Sequence, residues 1–211
     1  MTGVAVFPER VVLSGSYVTL EPLNVKHVAD LWDVAQNAES SFVYLRYGPF
    51  RTRDELAMLI DELAQRRDQP FWSIRDRDTG SVRGWLSLCD IAQRDGAIEI
   101  GSIWISPTLQ RTRQSTEAMF LLMRYAMDSL GYRRLVWRCC SDNVASVRAA
   151  QRLGFLPEGV WRQAVVVKGH VMDISWFSML KNEWDGRRVA IEAWLRTDNF
   201  ASDGSAFKSL K

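Results

Sequence analysis

The stretch best equipped for chemistry runs from Ile98 to Ala118. It reads as an apolar strand, Ile98-Glu99-Ile100-Gly101-Ser102-Ile103-Trp104-Ile105, then Ser106-Pro107, then a polar run Thr108-Leu109-Gln110-Arg111-Thr112-Arg113-Gln114-Ser115-Thr116-Glu117-Ala118. After Pro107 the apolar period changes from two to about 3.6, with Ala118, Leu121, Leu122, Tyr125 and Ala126 on one stripe, so a strand hands over to a helix through a polar loop. The start of a helix presents backbone N–H groups with no intrahelical partner and the positive end of the macrodipole, which suits a phosphate-bearing ligand. Arg111 and Arg113 add two permanent cations there. Spacing alone also fits a solvated loop with two surface arginines. Other reactive residues are sparse. His27 and His170 are the two histidines, which excludes a multi-histidine metal site, and Cys89, Cys139 and Cys140 lack metal spacing and read as reduced core thiols.

The elements that must position this stretch can be read along the chain. Tyr17 to Leu20 alternates like a strand, and Asn24 precedes Val25, Val28, Leu31, Trp32 and Ala35 at helical spacing. A second helix is expected from Thr52, with Leu56, Leu59, Ile60 and Leu63 on one face and Pro70 as its limit. Phe71 to Arg75, Val82 to Leu88 and Ala97 to Ile105 form a predicted meander, parted by Asp78-Thr79-Gly80 and Arg94-Asp95-Gly96. The long helix ends near Gly131. Arg134 to Cys139 is a strand, Asn143 caps a short helix that Gly154 stops, and strands from Phe155 to Val167 and Val171 to Leu180 flank a hairpin turn at Lys168-Gly169-His170. A last helix is expected from Trp184 to Leu195. The order βααβββαβαββ plus a C-terminal helix predicts a mixed, mostly antiparallel α/β (α+β) sheet with helices on both faces.

Composition bounds the rest. A length of 211 residues, 47% of them hydrophobic and 25% charged, suits one compact soluble domain, expected over 1–183, with a C-terminal helix and mobile tail over 184–211. A net charge of +2 is far short of the basic footprint that holds nucleic acid. No stretch approaches the ~20 apolar residues of a membrane span, and the start MTGVAVFPERVVLSG lacks a signal-peptide pattern, so a cytoplasmic protein with no membrane and no nucleic-acid partner is expected. Nine tryptophans are more than most cores of this size use. Most should be core, with a minority available to an acceptor cleft; sequence does not separate the two among Trp32, Trp72, Trp85, Trp104, Trp161 and Trp176 on predicted elements, and Trp137 and Trp194 are equally eligible.

Taken in order, three features resemble the GNAT superfamily of N-acetyltransferases, specifically its RimJ/RimL-like branch: the Glu-Ile-Gly strand, the Pro-x-x-Gln-Arg loop running into Thr116-Glu117-Ala118, and Asn143-Val144-Ala145-Ser146 followed by Gly154-Phe155. The resemblance covers about Tyr17 to Leu180. The superfamily's pyrophosphate loop, Gln/Arg-x-x-Gly-x-Gly/Ala, falls on Gln110, Arg111, Thr112, Arg113, Gln114 and Ser115. Arg113 stands where the first glycine is expected and Ser115 where the second small residue is. A long side chain at that glycine means either that the loop opens slightly or that the guanidinium grips the ligand, and the second reading is favoured.

The resemblance implies acetyl-CoA as cofactor and a sheet whose fourth and fifth strands splay apart. The pantetheine arm would lie in the gap, along Ile103, Trp104 and Ile105, with the backbone amides near Ile103 and Trp104 polarising the thioester. The diphosphate would sit on residues 110–116, Thr116 included, with Asn143 and Ser146 contributing further contacts to the cofactor. Direct transfer needs a base for the amine, support for the oxyanion and a proton for the leaving thiolate. Glu99, two residues before Gly101, is the candidate base; a structural carboxylate is the alternative. Many relatives carry a tyrosine one turn before the Gly-Phe pair, where this chain has Ala149-Ala150-Gln151-Arg152. Ser146 is therefore the candidate acid and Asn143 its neighbour, although capping alone explains Asn143 equally well.

The expected function is an acetyl-CoA-dependent N-acetyltransferase, an acyltransferase acting on a small-molecule amine or a peptide N-terminus as a monomer or homodimer. An acyl-CoA-binding module without turnover is the alternative. An interaction protein with an Arg-rich surface stays open too, since 22 of 27 basic residues are arginine. An acceptor pocket is expected from the helices between Asn24 and Arg67 and from the last hairpin, with Arg162, Lys168 and Asp173.

Overall fold

The computed structural model describes residues 4–210; the expected domain and tail limits at 1–3 and 211 lie outside the described residues. Eight strands hydrogen-bond in the order β1-β2-β3-β4-β5-β6-β8-β7. They are β1 (Leu13–Ser14), β2 (Val18–Pro22), β3 (Phe71–Asp76), β4 (Val82–Ala92), β5 (Ala97–Ile105), β6 (Arg134–Cys140), β7 (Leu156–Val167) and β8 (His170–Leu180). The helices are α1 (Val28–Ala35), α2 (Arg53–Gln65), α3 (Arg113–Arg124), α4 (Val144–Leu153) and α5 (Lys181–Trp194). The expected order holds, with the two-residue β1 added at the start. Pairing is antiparallel from β1 to β4 and across β6, β8 and β7, and parallel between β5 and β6. Contacts divide the chain into two compact units.

One unit comprises residues 7–91 and 100–122. Its core brings Leu31 and Ala35 of α1, Leu56, Ile60 and Leu63 of α2, Phe71, Val82 and Trp85 of the sheet, and Trp104 of β5 into one cluster. Burying each large side chain stabilises the fold by about 1.5–3 kcal/mol. Thr52 caps α2 by accepting from the Glu55 amide, and Asn24 caps the 3-10 turn Val25–His27 that leads into α1. Trp72, Trp85 and Trp104 are fully buried, as most tryptophans were expected to be.

The other unit holds residues 4–6, 92–99 and 123–210. After α3 the chain continues as a π-helical turn, Tyr125–Ser129, which periodicity did not distinguish from α-helix. Its Asp128 accepts from Trp184 Nε1 at 2.7 Å and Lys181 Nζ at 3.1 Å, which ties down α5. α5 starts at Lys181, three residues before the expected Trp184, because Glu183 turns back to accept from the Leu180 amide at 2.8 Å. Lys168 and Gly169 have φ of 50° and 82°, so the β7–β8 hairpin closes through a two-residue turn with both residues left-handed. Past α5, Trp194 Nε1 donates to the Lys208 carbonyl at 2.8 Å and Phe200 bridges Ala206.

Candidate active site

α3 begins at Arg113, and Thr112 acts as its cap: Thr112 Oγ1 accepts from the Ser115 amide at 3.2 Å and donates to the Leu109 carbonyl at 2.7 Å. The left-handed residue of the loop is Arg111, at φ 61°, whereas Arg113 is already helical. The loop thus makes its sharp turn two residues before the position at which the superfamily pattern has glycine, and no positive φ is demanded of Arg113. Its guanidinium lies 4.4 Å from the Tyr17 ring centroid and 3.8 Å from the Asp78 carboxylate. The expectation that Arg113 grips a ligand meets a residue already engaged; a phosphate would compete with Asp78. Gln114 Nε2 also reaches Asp78, at 3.3 Å.

The first turn of α3 is tied down by Glu117, one helical turn after Arg113 on the same face. Its carboxylate accepts from the amides of Ser16, Tyr17 and Val18 at 2.7, 2.6 and 2.8 Å. A Cβ on Gly15 would come within 2.4 Å of that carboxylate, which explains glycine there. Sequence reading placed Glu117 in a motif without assigning it this part; a carboxylate at an apolar-stripe border was the available signal.

β5 supplies the edge on which an extended ligand could pair. The Ser106 amide donates to the Arg83 carbonyl at 3.0 Å, and the Trp104 carbonyl lies against Gly84, where a Cβ would come within 2.5 Å of it. Because backbone N–H and C=O directions alternate along a strand, Ile103 and Ile105 then face the opposite edge and Trp104 faces β4. Of the amides expected near Ile103 and Trp104, that of Ile103 points outward and that of Trp104 does not; strand period two is the reason. Trp104 instead packs its indole on Phe42, centroids 5.0 Å apart, and donates from Nε1 to Ser41 Oγ at 2.9 Å. The Ile105 carbonyl receives Gln110 Nε2 at 3.0 Å, which joins the loop to the strand edge. The parallel ladder of β5 on β6 is short, pairing Ala97 with Arg134, Ile98 with Leu135 and Glu99 with Val136, while β5 runs on to Ile105.

Glu99, the last residue of β5 paired with β6, is buried, and its Oε2 lies 2.7 Å from Arg138 Nε. Arg138 in turn lies over Trp176, 5.2 Å from the ring centroid, and Trp176 contacts the exposed Trp161 at 4.4 Å between centroids. Sequence reading missed Arg138, which an ion-pair partner on the neighbouring strand would have required it to find by register. Ser146 lies in the first turn of α4; its amide donates to Asn143 Oδ1 at 3.1 Å, so Asn143 is a helix cap. The Ser146 hydroxyl accepts from Trp137 Nε1 at 3.0 Å and neighbours the Cys139 thiol. Burial raises the Cys139 thiol above its ordinary value and a hydrogen bond with Ser146 opposes this, so Cys139 reads as a packed thiol.

Residues 18–156 match the acetyltransferase (GNAT) domain family. The chain belongs to the GNAT acetyltransferase family. A crystallised GCN5-related N-acetyltransferase from Brucella melitensis is 43% identical, with a TM-score of 0.93 over 96% of this chain and 93% of that one. A probable GNAT-family acetyltransferase from Chromobacterium violaceum is 40% identical, with a TM-score of 0.81 over 87% of this chain and 92% of that one. A relative from Bacillus subtilis named as a putative ribosomal N-acetyltransferase is 33% identical over 52% of this chain, and this GNAT chain spans 59% of that relative's length. That likeness agrees with the RimJ/RimL-like branch.

Proposed function

We propose that this GNAT protein is an acetyl-CoA-dependent N-acetyltransferase that acts on a primary amine, of a small molecule or of a protein N-terminus, in a cytoplasmic ternary complex. One observation carries the reading: the outward edge of β5 at Ile103 and Ile105 leads through Gln110 to the start of α3, so strand-edge donors and a helix N-terminus follow one another in a single unit. The donor set fits acetyl-CoA, since a pantetheine amide needs strand-like pairing and a diphosphate needs N–H groups and cations. Acetyl-CoA supplies an acyl group activated as a thioester. Ile103 and Ile105 would pair with the arm, and Arg111, Arg113, Gln114, Ser115 and Thr116 would hold the diphosphate end. The Ile103 N–H would support the charge that develops on the acyl oxygen, Glu99 would take the proton of the attacking amine, and Ser146 would give its hydroxyl proton to the leaving sulfur. Amine nitrogen bonds to the acyl carbon as the carbon–sulfur bond breaks, so no covalent enzyme intermediate is needed. The name of the Bacillus relative favours a protein N-terminal amine as acceptor.

Native mass spectrometry with acetyl-CoA, followed by a thiol-release screen against ribosomal-protein N-terminal peptides, polyamines, amino acids and aminoglycosides, tests this. Binding with amine-dependent thiol release is expected. Binding without release from any amine would make the chain an acyl-CoA-binding module.

A further inference from the structure

Ser102 of β5 has a φ of 49°, a left-handed conformation that a side-chain-bearing residue adopts only when its surroundings compel it. Three side chains from separate segments close on this position. Ser87 Oγ of β4 donates to the Gly101 carbonyl at 2.8 Å. Gln69 Nε2, just before β3, donates to both Ser87 Oγ at 2.9 Å and Ser102 Oγ at 2.8 Å, using both of its hydrogens. Tyr47 Oη, in the loop before α2, donates to the Ser102 carbonyl at 3.4 Å and accepts from Trp85 Nε1 at 3.0 Å. Ser87 is fully buried and Gln69 7% exposed, so both are polar groups placed in the interior where only their partners justify them. Burial holds the Tyr47 phenol well above its ordinary pKa, which keeps it a donor.

A trans peptide is planar, with C=O and the following N–H pointing in opposite directions. Fixing the Ser102 carbonyl therefore fixes the direction of the Ile103 N–H, the outward amide of β5. We infer that Tyr47, Gln69 and Ser87 are positioning residues that hold the kink at Ser102 and so aim the Ile103 N–H at the acyl carbonyl. The inference rests on the acetyl-CoA reading above. Aiming a donor at the place where charge develops raises the rate of transfer more than it strengthens ground-state binding. The phenol also makes the loop before α2 part of the brace, so movement of that loop is felt at the amide.

Tyr47→Phe removes one hydroxyl and Gln69→Leu removes both of its donors. The readouts are kcat and KM with the best amine from the screen, the CoA dissociation constant by calorimetry, and the carbonyl stretch of bound acetyl-CoA by difference infrared spectroscopy. Each variant is expected to lose about tenfold or more in kcat, with CoA affinity kept within about twofold and the carbonyl frequency moved toward that of the free thioester. A purely structural part would change stability and leave that frequency alone. Should Gln69→Leu not fold, Tyr47→Phe carries the same readouts. Parent-like kcat and carbonyl frequency in the folded variants would overturn the brace while the acetyl-CoA reading stands; a parent protein that does not bind acetyl-CoA would overturn both.

Discussion

At the scale of single residues, Glu99 and Ser146, the two side chains proposed to move protons, each have a neighbour that sequence alone did not supply. Glu99→Gln keeps the size of the side chain and removes its basicity; kcat is expected to fall by about 10²-fold or more with CoA affinity nearly unchanged. Full activity of that variant across pH would move the base elsewhere. Ser146→Ala removes the hydroxyl that Trp137 Nε1 orients and should lower kcat with little effect on KM, read in the same assay with a good and a poor leaving thiol. Glu99, Ser146 and Asn143 were candidates because their types stand at motif positions. Arg138 and Trp137 were not, because strand register, which sequence does not print, decides which side chains meet.

At the scale of elements, α3 depends on what its first turn holds. Glu117→Ala would leave three backbone donors without their acceptor, the two buried ones, of Tyr17 and Val18, at about 1–3 kcal/mol each if water does not replace it, so a drop in Tm is expected by calorimetry. Gly15→Ala should lower Tm through the clash its Cβ would make with the same carboxylate. Arg113→Ala is expected to weaken CoA binding and Asp78→Asn to strengthen it, because the Asp78 carboxylate competes for the same guanidinium. Identical dissociation constants in parent and both variants would mean that Arg113 only braces Tyr17. The position of α3 was legible from its apolar stripe; the destination of the Arg113 side chain depended on the β1–β2 turn, distant in sequence.

At the scale of the whole molecule, stability should depend on pH through His27. Its Nδ1 accepts from the Asn24 amide at 3.2 Å and its Nε2 lies 3.1 Å from Glu21, so the ring is neutral. Burial, opposed by Glu21, holds its pKa below the ordinary 6.5. The unfolded chain therefore binds more protons at this site, and stability is full above about 6.5 and falls as pH drops toward the lowered folded value. Arg75 holds Glu21 below its ordinary 4.5, so a further loss of the same sign follows in more acid solution. A Tm series across these pH values should slope downward on acidification, less steeply in His27→Gln; a flat parent series would refute the linkage. Among the described residues no helix is long and apolar enough to cross a membrane. Acetyl-CoA at 100 times its dissociation constant should add about 2.7 kcal/mol to stability. The sequence by itself determined the elements and their order, because periodicity, caps and turns are local, and β5 was bounded at Ala97 and Ile105 by an apolar run between the turn residues Arg94-Asp95-Gly96 and Ser106-Pro107. Only the tertiary structure decided that the Ile103 amide faces outward, that Glu99 pairs with Arg138 and that Gln69 braces Ser102, since each requires distant segments to meet at a register set by packing.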